Sequence, residues 1–297
     1  MCRNLRILKI MTYGYANLEM SVPLKENKNM GTPPRTAIAK LARAARGGLI
    51  TVPRAAEALG LSRRAAAMKL AALARRGWLL RARQGLYLIL PLEVEPGRPM
   101  VAEDPWVLAR EAFRPCYVGG WSAAEYWGLT EQLFRSTLVV TAAHVRTRSV
   151  LLLDHEFRLF RVPRTRIDGA ILIWRGRERV PVSDRERTIV DCLRYPELCG
   201  GIRHLVHLME SYGSSQERNL QRLAYVAHEA GTGAVWKRLG YIAELLWPEE
   251  QVLRDEAGKH LTAGNVRLDP MVRQRGTLLR RWRLWVNVTL SGETDAS

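Results

Sequence analysis

The chain has 297 residues, a formal net charge of +17 and a pI near 10.4. Its hydrophobic fraction of 47% is typical of a protein with a packed core, which excludes a disordered chain, and its length allows two ordinary domains. The excess of positive charge favours a polyanionic partner, either nucleic acid or an anionic membrane surface. No apolar run approaches the roughly 18 residues of a membrane span, so we expect a cytoplasmic protein without a membrane partner.

Metal and disulfide chemistry find little support in the sequence. The four cysteines are spread along the chain without a C-x-x-C pair, at positions 2, 116, 192 and 199. His204 and His207 lie three residues apart but have no third ligand near them in sequence, which favours a solvated helix face. We therefore expect reduced thiols, no metal and no cofactor.

The positive charge is concentrated between residues 35 and 90. This segment holds twelve lysines and arginines against the single acid Glu57. A solubility charge would be distributed along the chain, whereas a concentrated one is expected of a module that contacts phosphates. Residues 1–34 have no sustained period, and we expect them to be an N-terminal extension.

Apolar spacing in the basic segment predicts three helices, over about 36–46, 53–59 and 62–76. Gly60 predicts a tight turn between the second and third helices, and Ser62 is a good N-cap for the third. After Gly77 the period changes to that of two short strands with a polar turn between them. Helix, turn, helix and hairpin together predict a winged helix-turn-helix, which we place at residues 35–95.

In a helix-turn-helix the second helix of the motif enters the major groove of DNA, and the hairpin tip reaches phosphate or the minor groove. The sequence therefore predicts double-stranded DNA as the partner. The residues predicted to contact it are Arg54, Ser62, Arg63, Arg64, Ala67, Met68, Lys69, Arg75, Arg83 and Gln84. Two other interpretations stay open: a solvated charged face, and a protein-interaction module whose basic domain docks an acidic partner.

Residues 96–297 are predicted to form a larger mixed α+β domain, reached through a Pro-, Gly- and acid-rich linker at 96–105. The fold class expected for the whole chain is therefore α+β. Predicted helices are 105–114, 122–126, 183–193, 201–212, 216–230 and 232–247, and predicted strands are 117–118, 137–141, 156–161, 170–174, 266–268 and 282–288. Ser183 and Glu186 have the spacing of a capping box at the start of one helix.

The order of these parts resembles the AbiEi family, the antitoxin and autorepressor half of bacterial type IV toxin-antitoxin pairs. The resemblance spans about residues 36–290 and includes Gly-Gly-Leu-Ile-Thr at 47–51 and an R-x-G-x-Y hairpin at 83–87. Further similar stretches are 117–124, 127–132, 182–193, 200–201, 238–241 and 268–270. The resemblance implies a repressor that binds operator repeats upstream of its own operon and opposes a nucleotidyltransferase-type toxin. It makes 96–297 an antitoxin or regulatory domain, and it leaves direct contact with the toxin open. Because one winged helix usually needs a second copy for affinity, we expect a homodimer on repeated half-sites or two monomers on adjacent sites.

The sequence carries no established catalytic motif: no G-K-[ST] phosphate loop, no H-E-x-x-H and no G-x-S-x-G. We therefore expect no enzyme and no catalytic residues. The alternative is a metal-dependent nuclease built from Glu103, Asp104, Asp154, His155 and Glu156. Asp191 is expected to make a buried hydrogen bond that anchors its helix.

Overall fold

The computed structural model describes residues 35–90 and 104–290. The amino-terminal part consists of α1 (Arg35–Ala44), β1 (Leu49–Thr51), α2 (Val52–Leu59), α3 (Arg63–Arg75), β2 (Leu79–Arg83) and β3 (Leu86–Ile89). Its strands form an antiparallel sheet in the order β1-β3-β2. Leu41, Ile50, Leu70 and Leu73 pack between the helices and this sheet.

The larger part begins with α4 (Pro105–Phe113), β4 (Cys116–Val118), α5 (Gly120–Tyr126), β5 (Ser136–Thr141), β6 (Ser149–Leu152), β7 (His155–Arg161), β8 (Ile171–Arg175) and β9 (Glu178–Val182). The strands form one mixed sheet in the order β6-β7-β5-β4-β9-β8. Neighbouring strands are antiparallel except β5 with β7 and β4 with β9, which are parallel. Helix α4 packs on one face of this sheet, where Leu108 and Phe113 share a core with Phe157.

Five helices follow: α6 (Arg185–Arg194), α7 (Ile202–Gly213), α8 (Leu220–Ala230), α9 (Gly233–Leu246) and α10 (Gln251–Lys259). They pack with α5 on the other face of the sheet, over Tyr117, Leu138 and Val140. A small sheet ends the described chain, with β10 (Val266–Arg267), β11 (Thr277–Leu279) and β12 (Leu284–Val286) in the order β10-β12-β11. No helix in residues 35–90 and 104–290 is long and apolar enough to cross a membrane.

Two residues of α9 attach the helical layer to the small sheet. The buried guanidinium of Arg238 donates hydrogen bonds to the carbonyl oxygens of Leu193, Arg267 and Leu268, at 2.7 to 2.9 Å. Burial lowers the pKa of Arg238 to about 10. At Gly240 a Cβ atom would lie 2.1 Å from the ring of Trp282, so only a glycine lets α9 approach this indole.

The two parts of the molecule share a hydrophobic core. Leu49, Leu86 and Leu88, from the outer face of the first sheet, pack in one cluster with Trp106 and Val107 of α4. These side chains are buried. The amino-terminal part is therefore docked on the larger part through apolar contact.

The mixed α+β class and most of the predicted elements are confirmed, while β6, β9, α10 and β11 were not predicted. The helix predicted at 216–230 begins later, at Leu220, because Asn219 caps it by accepting the Arg222 backbone N–H at 2.8 Å. The predictions for the extension at 1–34 and for most of the linker at 96–105 lie outside the described residues.

The predicted capping box at the start of α6 is wrong. The N-cap is Asp184, whose carboxylate accepts the backbone N–H of Arg187 at 2.8 Å. Ser183 lies one residue earlier and is fully buried. The Glu186 carboxylate accepts a hydrogen bond from the Tyr212 hydroxyl at 2.9 Å. Glu186 therefore joins α6 to α7 and does not cap α6.

Candidate nucleic-acid interface

The turn between α2 and α3 is formed by the residues that the sequence singled out. Gly60 ends α2 in the left-handed conformation, with φ of 65° and ψ of 36°. Ser62 then caps α3, because its hydroxyl oxygen accepts the backbone N–H of Ala65 at 3.2 Å. A left-handed glycine followed directly by a capped helix turns the chain within three residues.

Helix α3 has a buried face and a basic exposed face. Ala66, Leu70 and Leu73 point into the core. The opposite face exposes Arg63, Arg64 and Arg75, while Met68 is 62% exposed. Ala67 and Lys69 are half-buried at its edges. The small alanines between these cations leave room for a close approach by another molecule.

A cleft of about 610 Å³ lies between α2, the amino-terminal end of α3, the β2–β3 turn and α4. It brings together four of the predicted DNA contacts, Arg54, Arg63, Arg83 and Gln84. Met68 and Lys69 lie elsewhere, beside a shallow apolar depression formed with Leu59 and Leu61. The remaining four of the ten predicted residues line neither the cleft nor the depression: Ser62, Arg64, Ala67 and Arg75.

Arg83 and Gln84 at the β2–β3 turn are exposed. The guanidinium carbon of Arg83 lies 5.8 Å from the centre of the Phe113 ring, at the end of α4. Partial burial lowers the pKa of Arg83 from its ordinary value. The larger part of the protein therefore contacts the guanidinium of Arg83, whereas the sequence predicted that this side chain lies on a free hairpin tip.

Arg54 is bound within the protein. Its Nη2 atom donates to Glu111 Oε2 at 2.9 Å, and the Arg54 side chain is only 18% exposed. Glu111 is 1% exposed and also receives hydrogen bonds from Arg110 at 3.0 Å and Arg114 at 2.6 Å. The predicted DNA contact at Arg54 thus has an ion-pair partner that joins α2 to α4. No sequence signal links these residues, since they lie 57 positions apart.

The acids considered for a nuclease site have other contacts. Asp104 caps α4 by accepting the backbone N–H of Trp106 at 2.8 Å, and it also pairs with Arg175 at 2.7 Å. Glu156 lies 3.7 Å from Arg158 in an exposed pair, and Glu103 lies outside the described residues. Within residues 35–90 and 104–290, no three His, Cys, Asp or Glu side chains are placed to share a metal ion. The two histidines of α7 hydrogen-bond to Thr130 and Glu210, respectively.

Asp191 makes the anchoring hydrogen bond that the sequence predicts. The Tyr117 hydroxyl of β4 donates to its Oδ2 atom at 2.7 Å, and the Arg187 guanidinium stacks 4.6 Å from the Tyr117 ring centre. Burial raises the pKa of Asp191 above its ordinary value, with Arg187 acting in the opposite direction. The arrangement binds α6 to the sheet.

A comparison with known protein families agrees with the part of the AbiEi resemblance that lies in the amino-terminal part, at residues 47–51 and 83–87. Residues 35–89 match the family model described as "Transcriptional regulator, AbiEi antitoxin". A crystal structure of the RV2827C protein from Mycobacterium tuberculosis has a similar fold, with a TM-score of 0.52 and 19% sequence identity over 84% of this chain and 89% of that chain. No curated protein matches the chain significantly. At residues 35–89 the chain therefore matches the AbiEi antitoxin family of transcriptional regulators, whose motifs the sequence resembles.

Proposed function

We propose that residues 35–90 are a winged helix-turn-helix that binds duplex DNA through α3 and the β2–β3 turn. The observation that carries this proposal is the basic exposed face of α3, directly after a left-handed glycine and a serine cap. Arg63 and Arg64 stand in its first turn, the part of such a helix that meets base edges. Arginine can donate two parallel hydrogen bonds to guanine, and Arg83, exposed at the β2–β3 turn, would contact phosphate.

We further propose that the protein represses its own operon and opposes a nucleotidyltransferase-type toxin. The family match at 35–89 supports regulation and an antitoxin role. One such module reads a half-site of a few base pairs, so a homodimer or two adjacent monomers on repeated half-sites would supply the affinity. We also propose a cytoplasmic location for the protein, because a bacterial transcriptional regulator must reach the chromosome.

The test is a fluorescence-anisotropy titration on the duplex upstream of the gene and on a scrambled duplex, at two salt concentrations. The variant Arg63→Ala/Arg64→Ala should lose roughly tenfold or more in affinity for the upstream duplex, and with it the preference over the scrambled one. Its matched control is Arg146→Ala/Arg273→Ala, which removes two exposed arginines from the larger part and so the same charge.

Salt separates this proposal from docking of an acidic protein on the same face. Affinity for duplex DNA should fall with a log-log slope near −0.9 per phosphate neutralised. Equal binding of both duplexes, or an equal loss in the control variant, would show that α3 is not a sequence-reading helix. A failure of both duplexes to bind would leave the basic face as a protein-docking surface.

A further inference from the structure

Strand β8 is an edge of the six-stranded sheet. It pairs with β9 through Ile171 to Arg175, and within the described residues it has no partner on its other side. Edge strands that stay unpaired are usually very short, or carry charged side chains, proline or a bulge that blocks pairing. The sequence of β8 is Ile-Leu-Ile-Trp-Arg, so its only charge lies at its last residue, and it has neither a proline nor a bulge in its pairing with β9.

The two faces of β8 have different surroundings. Ile173 is buried against α4 together with its cross-strand neighbour Val180. Leu172 and Trp174 point to the opposite face and are 53% and 65% exposed. The helical layer covers that face at β4 and β5, where Tyr117 is buried, but it does not extend over β8.

These exposed side chains line an open cleft of about 880 Å³ at the junction of the two parts. Leu172, Trp174 and Pro181 supply apolar surface. The charged residues around it are five arginines and two acids, Arg46, Arg110, Arg114, Arg177, Arg179, Asp168 and Glu178.

The basic residues of the rim leave an unbalanced positive charge. Glu178 is already paired with Arg110 at 2.8 Å. Arg46, Arg177 and Arg179 are exposed and form no ion pair within residues 35–90 and 104–290. The cleft therefore combines an apolar floor with a basic rim.

This chemistry fits an acidic protein segment better than the other polyanions or a second copy of the chain. One face of the Trp174 ring is covered by the guanidinium of Arg179, 5.3 Å from its centre, and aliphatic Leu172 offers no stacking surface, so nucleic-acid bases gain little here. A second copy carries a charge of +17 and would meet this rim with like charge.

We propose that the cleft beside β8 binds an acidic protein segment with apolar side chains, which enters as an extended strand against the free edge of the sheet. Main-chain hydrogen bonds to β8 would provide affinity, as in other cases of strand addition. Leu172 and Trp174 would take alternate apolar side chains of the segment, and Arg46 and Arg177 its carboxylates. The proposal goes beyond DNA binding and does not depend on it.

The experiment is a selection of random 12-residue peptides displayed on phage against the full chain, with a parallel selection against Trp174→Ala. Peptides recovered with the unchanged protein and lost with Trp174→Ala should be rich in Asp or Glu and in apolar residues. In a fluorescence-anisotropy titration with one such peptide, Trp174→Ala should weaken binding roughly tenfold or more. Arg177→Glu should also weaken it.

Leu151 provides the matched control, because it is 72% exposed on β6 at the opposite edge of the same sheet. Leu172→Ser should weaken peptide binding, whereas Leu151→Ser should not. All four variants should bind the upstream duplex as the unchanged protein does, so a failure of DNA binding and a failure of this proposal are read out separately.

Three results would overturn the proposal. The first is that no recovered peptide depends on Trp174, or that the dependent peptides are basic or uncharged. The second is that a single-stranded oligonucleotide binds instead and loses its affinity in Trp174→Ala. The third is self-association of the chain in sedimentation experiments that Trp174→Ala abolishes.

Discussion

Glu111→Gln should destabilise the protein strongly, because Glu111 is the common acceptor of three guanidinium groups at the junction of its two parts. The carboxylate is 1% exposed, and its partners Arg54 and Arg110 are 18% and 8% exposed. The amide that replaces it has the same shape but no charge, so the largely buried Arg54 guanidinium loses its counter-ion, while Arg110 keeps only its pair with Glu178 at 2.8 Å.

The magnitude follows from the burial of each pair. Breaking a buried ion pair by removing one partner costs about 3 to 5 kcal/mol, because the other charge stays buried without compensation. The pair with Arg114, which is 48% exposed, contributes less because water screens it. We therefore expect the free energy of unfolding to fall by about 3 kcal/mol, or the Tm by about 5 °C for a chain of this size.

Urea and thermal unfolding followed by circular dichroism would measure this loss. Glu217→Gln is the control, since Glu217 is 60% exposed in its pair with Arg185 and should contribute less than about 1 kcal/mol. If Glu111→Gln lost no more than this control, the reasoning that a buried cluster of charges holds α2 to α4 would be refuted.

Three further changes test other parts of the structure by the same unfolding measurements. Ser62→Ala removes the hydroxyl that caps α3 and should cost about 1 kcal/mol; no loss would mean that water replaces the cap. Gly240→Ala should cost about 2 kcal/mol or more, although alanine favours helix, because its Cβ would overlap the Trp282 ring; a gain in stability would contradict this packing. Burial raises the pKa of Asp191, so its contribution to stability is present below the ordinary Asp pKa and is lost as pH rises through the raised one. Asp191→Asn should lack the part of the pH dependence that begins at the ordinary Asp pKa and extends above it, and identical profiles for the two proteins would argue against it.

The local signals in the sequence were sufficient for the amino-terminal part. Glycine turns, the Ser62 cap and the helical period depend on neighbouring residues, so they predicted α1 to α3 and the β2–β3 pair to within a few positions. Of the predicted DNA contacts on α3, Arg63, Arg64, Met68 and Arg75 are exposed, whereas Ala67 and Lys69 are half-buried. The motifs beyond residue 89 that resemble the AbiEi family stay a prediction.

The elements that the sequence analysis missed depend on distant contacts. Strand β9 contains Glu178, Arg179 and Pro181, which weaken any strand pattern, and it forms because it pairs with β4 and β8 on both sides. The cluster at Glu111 joins residues that no short-range rule connects. The edge position of β8, which exposes Trp174, likewise follows from the order of the strands in the sheet.

The apolar seam of Leu49, Leu86 and Leu88 against α4 also has an entropic consequence. Two domains on a flexible tether lose rotational freedom when both engage their ligands, and that loss weakens binding. Here the two parts are immobilised when the chain folds, so binding of the proposed DNA or protein segment would not have to order them again. A molecule bound beside β8 would therefore lie at a fixed distance and angle from a duplex bound to α3, because the packed core between the two parts fixes their relative position.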